Sequence, residues 1–448
     1  MREMVRLGDV AQINPRFDKT SLADDAPVSF VPMAAVGAAD GQIDASTTRP
    51  FGEVKKGYTP FREGDVLFAK VTPCMENGKM AVARGLKNGV GFGSSEFHVL
   101  RPTERVDAKY LYHFVSSESF RKEAARHMTG AVGLRRVPTA FLSDAELPLV
   151  GLDEQRRIVA EIDKQFSRLD EAVANLHRVK ANLKRYKAAV LKAAVECRLV
   201  ETEASIARRE GRGCETGEQL LQRILDERRK QWVGRGKYKP PQLPTDTDTA
   251  LPEGWVWASI DQLAEVGTGA TPSRSNPAFW TGGDIPWVSS SVVNADQVTE
   301  ATEFVTEQAL AETNLTLYPP GTLLLAMYGE GKTRGKCTEL RLHATTNQAL
   351  AALQASADVR GYLRHFLEHN YEEMRKVASG GVQPNLNLSL VRSVCVPLPP
   401  AAEQVRISAE IERQLTILRG VEAEVDVNLL RAHTLRRATL SKAFTPGK

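Results

Sequence analysis

Two stretches of the chain carry apolar residues at alternating steps of four and three. In the first, Ile162, Phe166, Leu169, Val173, Leu176 and Leu183 form a stripe that Lys180 and Lys187 interrupt. In the second, Ile407, Ile411, Leu415, Leu418, Val425 and Leu429 do the same, with Glu422 as the polar interruption. This is heptad spacing, and it predicts two helices, over 153–199 and 402–446, each about 45 residues or ~65 Å long. A stripe so narrow on a helix so long needs a partner, and the other copy is the obvious one. Upstream of each helix the texture changes to short apolar runs with many Gly and Pro. Mixed α and β structure is expected there, over 1–152 and 251–401.

The chain is one unit written twice, and such repetition fixes the architecture before any local motif does. PLVGLDEQRRIVAEIDKQFSRL (148–169) returns as PLPPAAEQVRISAEIERQLTIL (397–418), with Glu154 and Glu403 249 residues apart. Gln155/Gln404, Arg157/Arg406, Ile158/Ile407, Glu161/Glu410, Ile162/Ile411, Gln165/Gln414 and Leu169/Leu418 are identical pairs. The globular segments diverge more, yet keep landmarks. Leu7–Ala11 answers to Ile260–Ala264, Gly64–Ala69 to Gly321–Ala326, Gly93–Phe97 to Thr345–Ala349, and Thr129–Val132 to Ser379–Val382. Residues 200–250 belong to neither copy. There Thr216-Gly217-Glu218-Gln219 reads as a capping box opening a short helix with Leu220, Leu221, Ile224 and Leu225 on its apolar side. An extended, exposed linker from Gly234 to Pro241 and beyond is expected to follow.

Composition narrows the classes. At 448 residues the chain is long enough for two or three cores. No stretch approaches the ~20 apolar residues that span a bilayer, and the polar start after Met1 lacks the apolar core of a secretory signal, so a cytoplasmic location is expected. Cys74, Cys197, Cys214, Cys337 and Cys395 are scattered without CxxC spacing, which predicts reduced thiols and no zinc knuckle. A net charge of +4 permits a polyanionic partner without demanding one.

Enzyme motifs fail on inspection. Gly331-Lys332-Thr333 resembles the end of a phosphate-binding loop, but that pattern needs glycine at position 326, which is Ala. Asn14-Pro15-Arg16-Phe17 and Asn276-Pro277-Ala278-Phe279 resemble the Asn-Pro-Pro-Phe motif of amino-methyltransferases, yet both lack the second proline. Gly89-Val90-Gly91-Phe92-Gly93 does not sit at a strand-to-helix turn that would hold a cofactor. No metal-ligand spacing and no Ser/His/Asp set can be nominated.

The order of globular segment, long helix entered through PL…EQxRI, linker ending in Leu251-Pro252-Glu253-Gly254-Trp255, second globular segment and second helix resembles the specificity subunits of type I restriction-modification systems. The resemblance covers nearly the whole chain. Thr271-Pro272-Ser273, Phe279-Trp280 and Gly282-Gly283-Asp284-Ile285-Pro286-Trp287-Val288 also look like recognition-domain sequence. One departure is Leu149-Val150-Gly151-Leu152, where the family shows a proline pair that the second copy keeps as Pro399-Pro400. The resemblance implies an α+β protein with two target recognition domains, 1–152 and 251–401. It also implies long helices packed as an antiparallel coiled coil with pseudo-twofold symmetry. The subunit itself would be non-catalytic, reading a bipartite, asymmetric site on double-stranded DNA. It would dock two methyltransferase subunits and the restriction/translocase subunits, with no cofactor of its own. S-adenosylmethionine, ATP and Mg would belong to those partners. A coiled-coil scaffold without sequence-specific DNA contact is the competing reading.

A duplex reader needs phosphate clamps and groups that reach base edges, and loops supply both. In the first domain the candidates are Lys70, Thr72, Asn77 and Lys79 after the apolar run Val66–Phe68, then Ser94 and Ser95, then Arg135 and Arg136. In the second they are Ser273 and Arg274, then Tyr328, Lys332, Arg334 and Lys336 after Leu323–Leu325, then Thr346 and Asn347, and finally Gln383, Asn385 and Asn387. On the helices Ile158, Ile162, Leu169, Ile407, Ile411 and Leu418 are expected in the core. Glu154, Gln155, Arg157, Glu403, Gln404 and Arg406 at the helix entrances suggest either a capping arrangement or a shared contact with a partner.

Overall fold

A computed structural model describes residues 3–18, 20–38, 40–131, 133–232, 237–245, 247–328, 333–379 and 385–445. The chain divides into two units: Met1–Val179 with Glu424–Lys448, and Lys180–Ala423. Each unit therefore holds one globular domain and part of both long helices, which run Leu152–Val195 and Ala401–Phe444.

In the first unit a four-stranded antiparallel sheet has the order Ala11–Ile13, Phe97–Pro102, Val66–Ala69, Met80–Val82. A second sheet has the order Thr48–Pro50, Pro27–Val31, Val90–Gly93, Thr59–Arg62, with its central pair parallel. Glu3–Arg6 pairs antiparallel with Glu146–Leu149 just before the long helix. Helices Ala108–Ser116 and Glu118–Arg126 cover one face, each opened by a side-chain cap, Asp107 and Ser117. The all-apolar strand Val66–Ala69 is buried on both faces, as a central strand between packed layers should be.

The second unit repeats this frame with different contents. Its main sheet runs Ala264–Thr268, Leu350–Ala355, Leu323–Ala326, Cys337–Leu340, Gln297–Val298, and its smaller sheet again contains a parallel pair, Ile285–Val288 with Thr345–Thr346. Val256–Ser259 pairs with Cys395–Leu398 ahead of the second long helix. In both units a buried tyrosine closes the frame: Tyr110 Oη donates to the Pro148 carbonyl at 2.6 Å, and Tyr362 Oη to that of Pro397 at 2.7 Å.

The segment after the first long helix is not a mere tether. Helices Glu203–Glu210 and Gly217–Gln231 belong to the second unit, and Leu220, Leu221 and Ile224 are buried in its core with Ala258, Ile260 and Leu263. The capping box at Thr216 and Gln219 is present. Residues 237–245 and 247–250 follow without regular structure and are mostly exposed, whereas 233–236 lie outside the described residues.

Within each unit the long helices meet in opposite senses. In the first, Thr439 Oγ1 donates to Gln165 Oε1 at 3.0 Å and Arg436 pairs with Asp170 at 2.6 Å while stacking on Phe166. In the second, Tyr186 Oη donates to Gln414 Oε1 at 3.2 Å and Lys180 lies 4.0 Å from Glu422. Lys180 and Glu422, one polar interruption from each stripe, thus face one another, and the third, Lys187, finds Glu368 at 3.8 Å. Ile162, Ile407 and Ile411 are buried in the cores, while Ile158, Leu169 and Leu418 are half-buried.

Candidate nucleic-acid interface

Three loops meet at one junction in each unit, and the same backbone bonds make it twice. In the first unit the Lys70 amide donates to the Glu96 carbonyl at 2.9 Å, and the Val137 amide to the Lys70 carbonyl at 2.8 Å. In the second the Met327 amide donates to the Ala349 carbonyl at 2.8 Å, and the Leu386 amide to the Met327 carbonyl at 3.1 Å. Residues that end a buried strand must pair their peptide groups with something, and here the two other loops supply the partners. The post-strand loop, the 94–96 or 347–349 turn and the late loop are thereby fixed side by side.

On this junction in the first unit lie Lys70, Thr72, Ser94, Arg135 and Arg136. Thr72 is bonded inward: its amide donates to the Arg135 carbonyl at 3.0 Å, and its hydroxyl accepts from the Arg135 amide at 3.1 Å. Arg136 makes a two-pronged pair with Glu96 at 2.8 and 2.7 Å, and the guanidinium holds that carboxyl below the usual range. Arg135 lies 3.6 Å from Glu76. Lys79 is turned away from the surface, donating to the carbonyls of Met33 and Val36 at 2.9 and 3.1 Å. Ser94 accepts from the Glu96 amide to shape the turn, leaving Asn77 and Ser95 exposed beside it.

In the second unit Tyr328 and Asn385 are exposed at the equivalent place, flanking the Met327–Leu386 bond. Lys336 donates to Asn294 Oδ1 at 2.8 Å. Arg334 is half-buried, its Nε without a partner among the described residues and its carbonyl accepting from Arg375. Asn387 caps the helix Leu388–Ser393 through the Leu390 amide. Thr346 is fully buried in the sheet and presents no surface, because its strand is covered on both faces. Asn347 is half-buried, its side chain accepting from the Ala349 amide. Lys332 and Gln383 lie outside the described residues. Ser273 and Arg274 sit on a neighbouring loop tied to the 347–349 turn by Thr271 Oγ1 donating to Gln348 at 2.7 Å. Arg274 stacks 3.8 Å from the Trp280 ring centroid and pairs with Glu303 at 2.5 Å. Arg135, Arg136 and Arg274 are therefore already paired, and a polyanion would have to compete with Glu76, Glu96 and Glu303 for them.

At the helix entrances the two copies part company. Gln155 is buried and saturated: it accepts from the Asp107 amide at 2.8 Å and donates to the carbonyls of Arg105 and Val150 at 2.9 and 2.8 Å. Among the described residues Gln404 keeps only the donation to Pro399, and its Oε1 has no partner. Glu154 is exposed beside Arg157, at 3.4 Å, whereas Glu403 is buried. The Glu403 carboxylate accepts from the Trp255 indole at 3.1 Å, the Glu203 amide at 2.8 Å and the Cys197 thiol at 3.5 Å, while burial pushes its pKa up.

A duplicated histidine escaped the sequence reading. His113 Nε2 lies 3.3 Å from Asp163 Oδ1, and His365 Nε2 3.9 Å from Glu412 Oε1, each joining a domain helix to the long helix of its own unit. The hydrogen bond from His113, with Lys109 alongside, holds Asp163 down at about 2. Burial lowers His365 to about 4. The signal was present, as Tyr110-Leu-x-His113 against Tyr362-Leu-x-His365. Among the described residues no group of His, Cys, Asp and Glu is placed to hold a metal ion, and none of the described helices is long and apolar enough to cross a membrane.

The family model of the type I restriction modification DNA specificity domain matches residues 2–185 and 252–424, both copies of the repeat. The chain belongs to this family. It is 27% identical over 467 residues to the type I restriction enzyme EcoEI specificity subunit of Escherichia coli, spanning 92% of this chain and 77% of that one. It is 30% identical over 300 residues to the EcoAI specificity subunit of the same organism, spanning 58% of this chain and half of that one. Among solved structures, the HsdS subunit from Thermoanaerobacter tengcongensis aligns over 99% of this chain and 96% of its own, at a TM-score of 0.55 and 22% identity. A chain from a structure on complex assembly and conformational transition of the type I R-M system aligns over 99% and 97%, at 0.69 and 20%. These two likenesses concern the fold. Within the family this chain is a specificity subunit of α+β architecture with two specificity domains.

Proposed function

We propose that this subunit reads a two-part DNA site, one part with each globular domain, and performs no chemistry itself. The observation that carries the reading is the three-loop junction, built by the same backbone bonds in both units while the side chains on it differ. A common frame with separate contents is what two readers of unrelated half-sites require. The long helices would act as an antiparallel spacer that relates the domains by a pseudo-twofold axis, so that each meets the duplex in opposite sense about one helical turn apart. Methylation would fall to two methyltransferase subunits using S-adenosylmethionine, and cleavage to ATP- and Mg-dependent translocase subunits. This chain would bind none of these cofactors.

The test is duplex binding by the subunit assembled with its methyltransferase, followed by fluorescence anisotropy across a salt series. A sequence-specific reader gives tight binding to one bipartite site and a steep salt dependence, falling by about 0.9 in slope for each phosphate contact removed. Arg135→Ala on its own, and Arg136→Gln made together with Glu96→Gln so that no carboxylate is stranded, are expected to flatten that slope. Exchanging residues 1–152 for another recognition domain should alter one half-site in methylome sequencing and leave the other. Binding that ignores sequence would favour the protein-binding scaffold instead.

A further inference from the structure

The repeat supplies two copies of a Glu-x-x-Arg pair at the start of a long helix, and among the described residues only one copy receives another segment of the chain. In the second unit the pair recognises a single residue at two points. Glu403 accepts the backbone N–H of Glu203, the first residue of the helix Glu203–Glu210, while Arg406 takes the Glu203 carboxylate at 2.6 Å. Thr202 caps that helix through the Ser205 amide. The contact is sealed: Glu403 is 1% exposed and Glu203 2%. Arg212 adds a second cation to Glu203 at 2.7 Å.

In the first unit the same two residue types stand at the same helical positions, Glu154 and Arg157. Their side chains are 51% and 80% exposed, and they pair with each other at 3.4 Å. The neighbouring Gln155 is locked into the domain by three hydrogen bonds, so the helix turn that bears the pair is held in place. An exposed ion pair of this kind stabilises a fold very little.

We propose that Glu154 and Arg157 form a docking point for another chain of the assembly, one that presents an acidic residue in the first turn of a helix behind a Thr or Ser cap. Glu154 accepts the peptide N–H of that residue and Arg157 binds its carboxylate, as Glu403 and Arg406 do for Glu203. The occupant is a partner subunit and not a second copy of this chain. The inference rests on the proposed role as a member of a multisubunit complex.

The chain itself provides a probe: a fluorescein-labelled synthetic peptide of residues 196–213, added to the full-length protein, whose own copy of that segment fills the second site. Saturable binding is expected, weakened about tenfold or more by Arg157→Glu. A peptide carrying Glu203→Arg should fail on the unchanged protein and recover on the Arg157→Glu variant. Absence of binding, indifference to Arg157→Glu, or failure of the charge swap would overturn the proposal. In the assembled complex, a photo-crosslinking residue at Asp153 should capture a partner subunit at an acidic helix start, and one at the equivalent Ala402 should not. No adduct at 153, equal adducts at both positions, or an adduct to a second copy of this chain would also overturn it. DNA binding measured on the same complex separates the outcomes: lost crosslinking with intact sequence-specific binding defeats the docking point alone.

Discussion

Gln155 and Gln404 occupy equivalent positions 249 residues apart, and their removal should have unequal consequences. Gln155→Ala deletes three hydrogen bonds of 2.8 to 2.9 Å from a site with no solvent access. It strands the Asp107 amide and the carbonyls of Arg105 and Val150. With about 1–3 kcal/mol for each buried group left unpaired, and some water entering the space, a loss of about 3–5 kcal/mol is expected. Gln404→Ala deletes one bond, to the Pro399 carbonyl, and also removes a buried oxygen that has no partner among the described residues. The two effects oppose, for a net loss of about 1 kcal/mol. Hydrogen exchange read by mass spectrometry suits a chain of two units, because it reports each locally. Amides at the start of the helix Ala108–Ser116 should exchange at least about a hundredfold faster in Gln155→Ala, whereas those at the start of Ala357–His369 should change about fivefold or less in Gln404→Ala. Equal acceleration in the two variants would refute the claim that the first entrance is pinned by its glutamine and the second is not.

Burial holds His365 neutral down to about pH 4, against an ordinary value of 6.5. Between those values the unfolded chain takes up a proton that the native state refuses. Stability is therefore full above pH 6.5 and falls by about 1.4 kcal/mol per unit on acidification. His365→Gln should flatten the urea midpoint against pH over that window, and an unchanged slope would count against it. Gly269 leaves no room for a side chain, since a Cβ there would lie 1.7 Å from the Thr346 carbonyl oxygen. Gly269→Ala should accordingly unfold or insolubilise the second domain, as read by limited proteolysis. Gly420 lies inside a long helix with nothing within 4 Å of such a carbon. Gly420→Ala should raise the melting temperature through about 1 kcal/mol of helix propensity, and a drop would show an unseen close approach.

The periodicity and the repeat were legible because they are properties of the chain alone. Heptad spacing marked both long helices, the capping box at Thr216 marked the short one, and Lys180 and Glu422 broke their stripes at places that face each other. What a loop residue does with its side chain was not legible. Lys79 and Arg136 look alike as loop cations, yet one is folded onto backbone carbonyls and the other lies on the surface with Glu96. Asn387 reads as an amide for a base edge and is spent capping a helix. The duplicated histidine was hidden for a different reason. Tyr110 and His113 stand 252 residues before their counterparts whereas the long helices keep 249, because the segment from His365 to Glu403 is three residues shorter than that from His113 to Glu154. A single offset does not bring the two histidines together.

The start of the domain helix explains why the entrances diverged. The helix Ala357–His369 opens three residues earlier relative to Tyr362 than Ala108–Ser116 does relative to Tyr110, so Val359 stands where Asp107 meets Gln155; its amide is bonded to the Ser356 carbonyl, and the Gln404 oxygen is left without it. The second entrance is instead secured from outside, by Glu203, Trp255 and Cys197 closing on Glu403. Either arrangement fixes a domain on its helix, one from within the domain and the other with a borrowed segment. The choice has a functional cost only at the borrowed site, since a pair already filled by its own chain cannot receive a partner. A complex that engages both helix entrances must then grip them differently. Its asymmetry would come from the way each helix is anchored as well as from the two half-sites it reads.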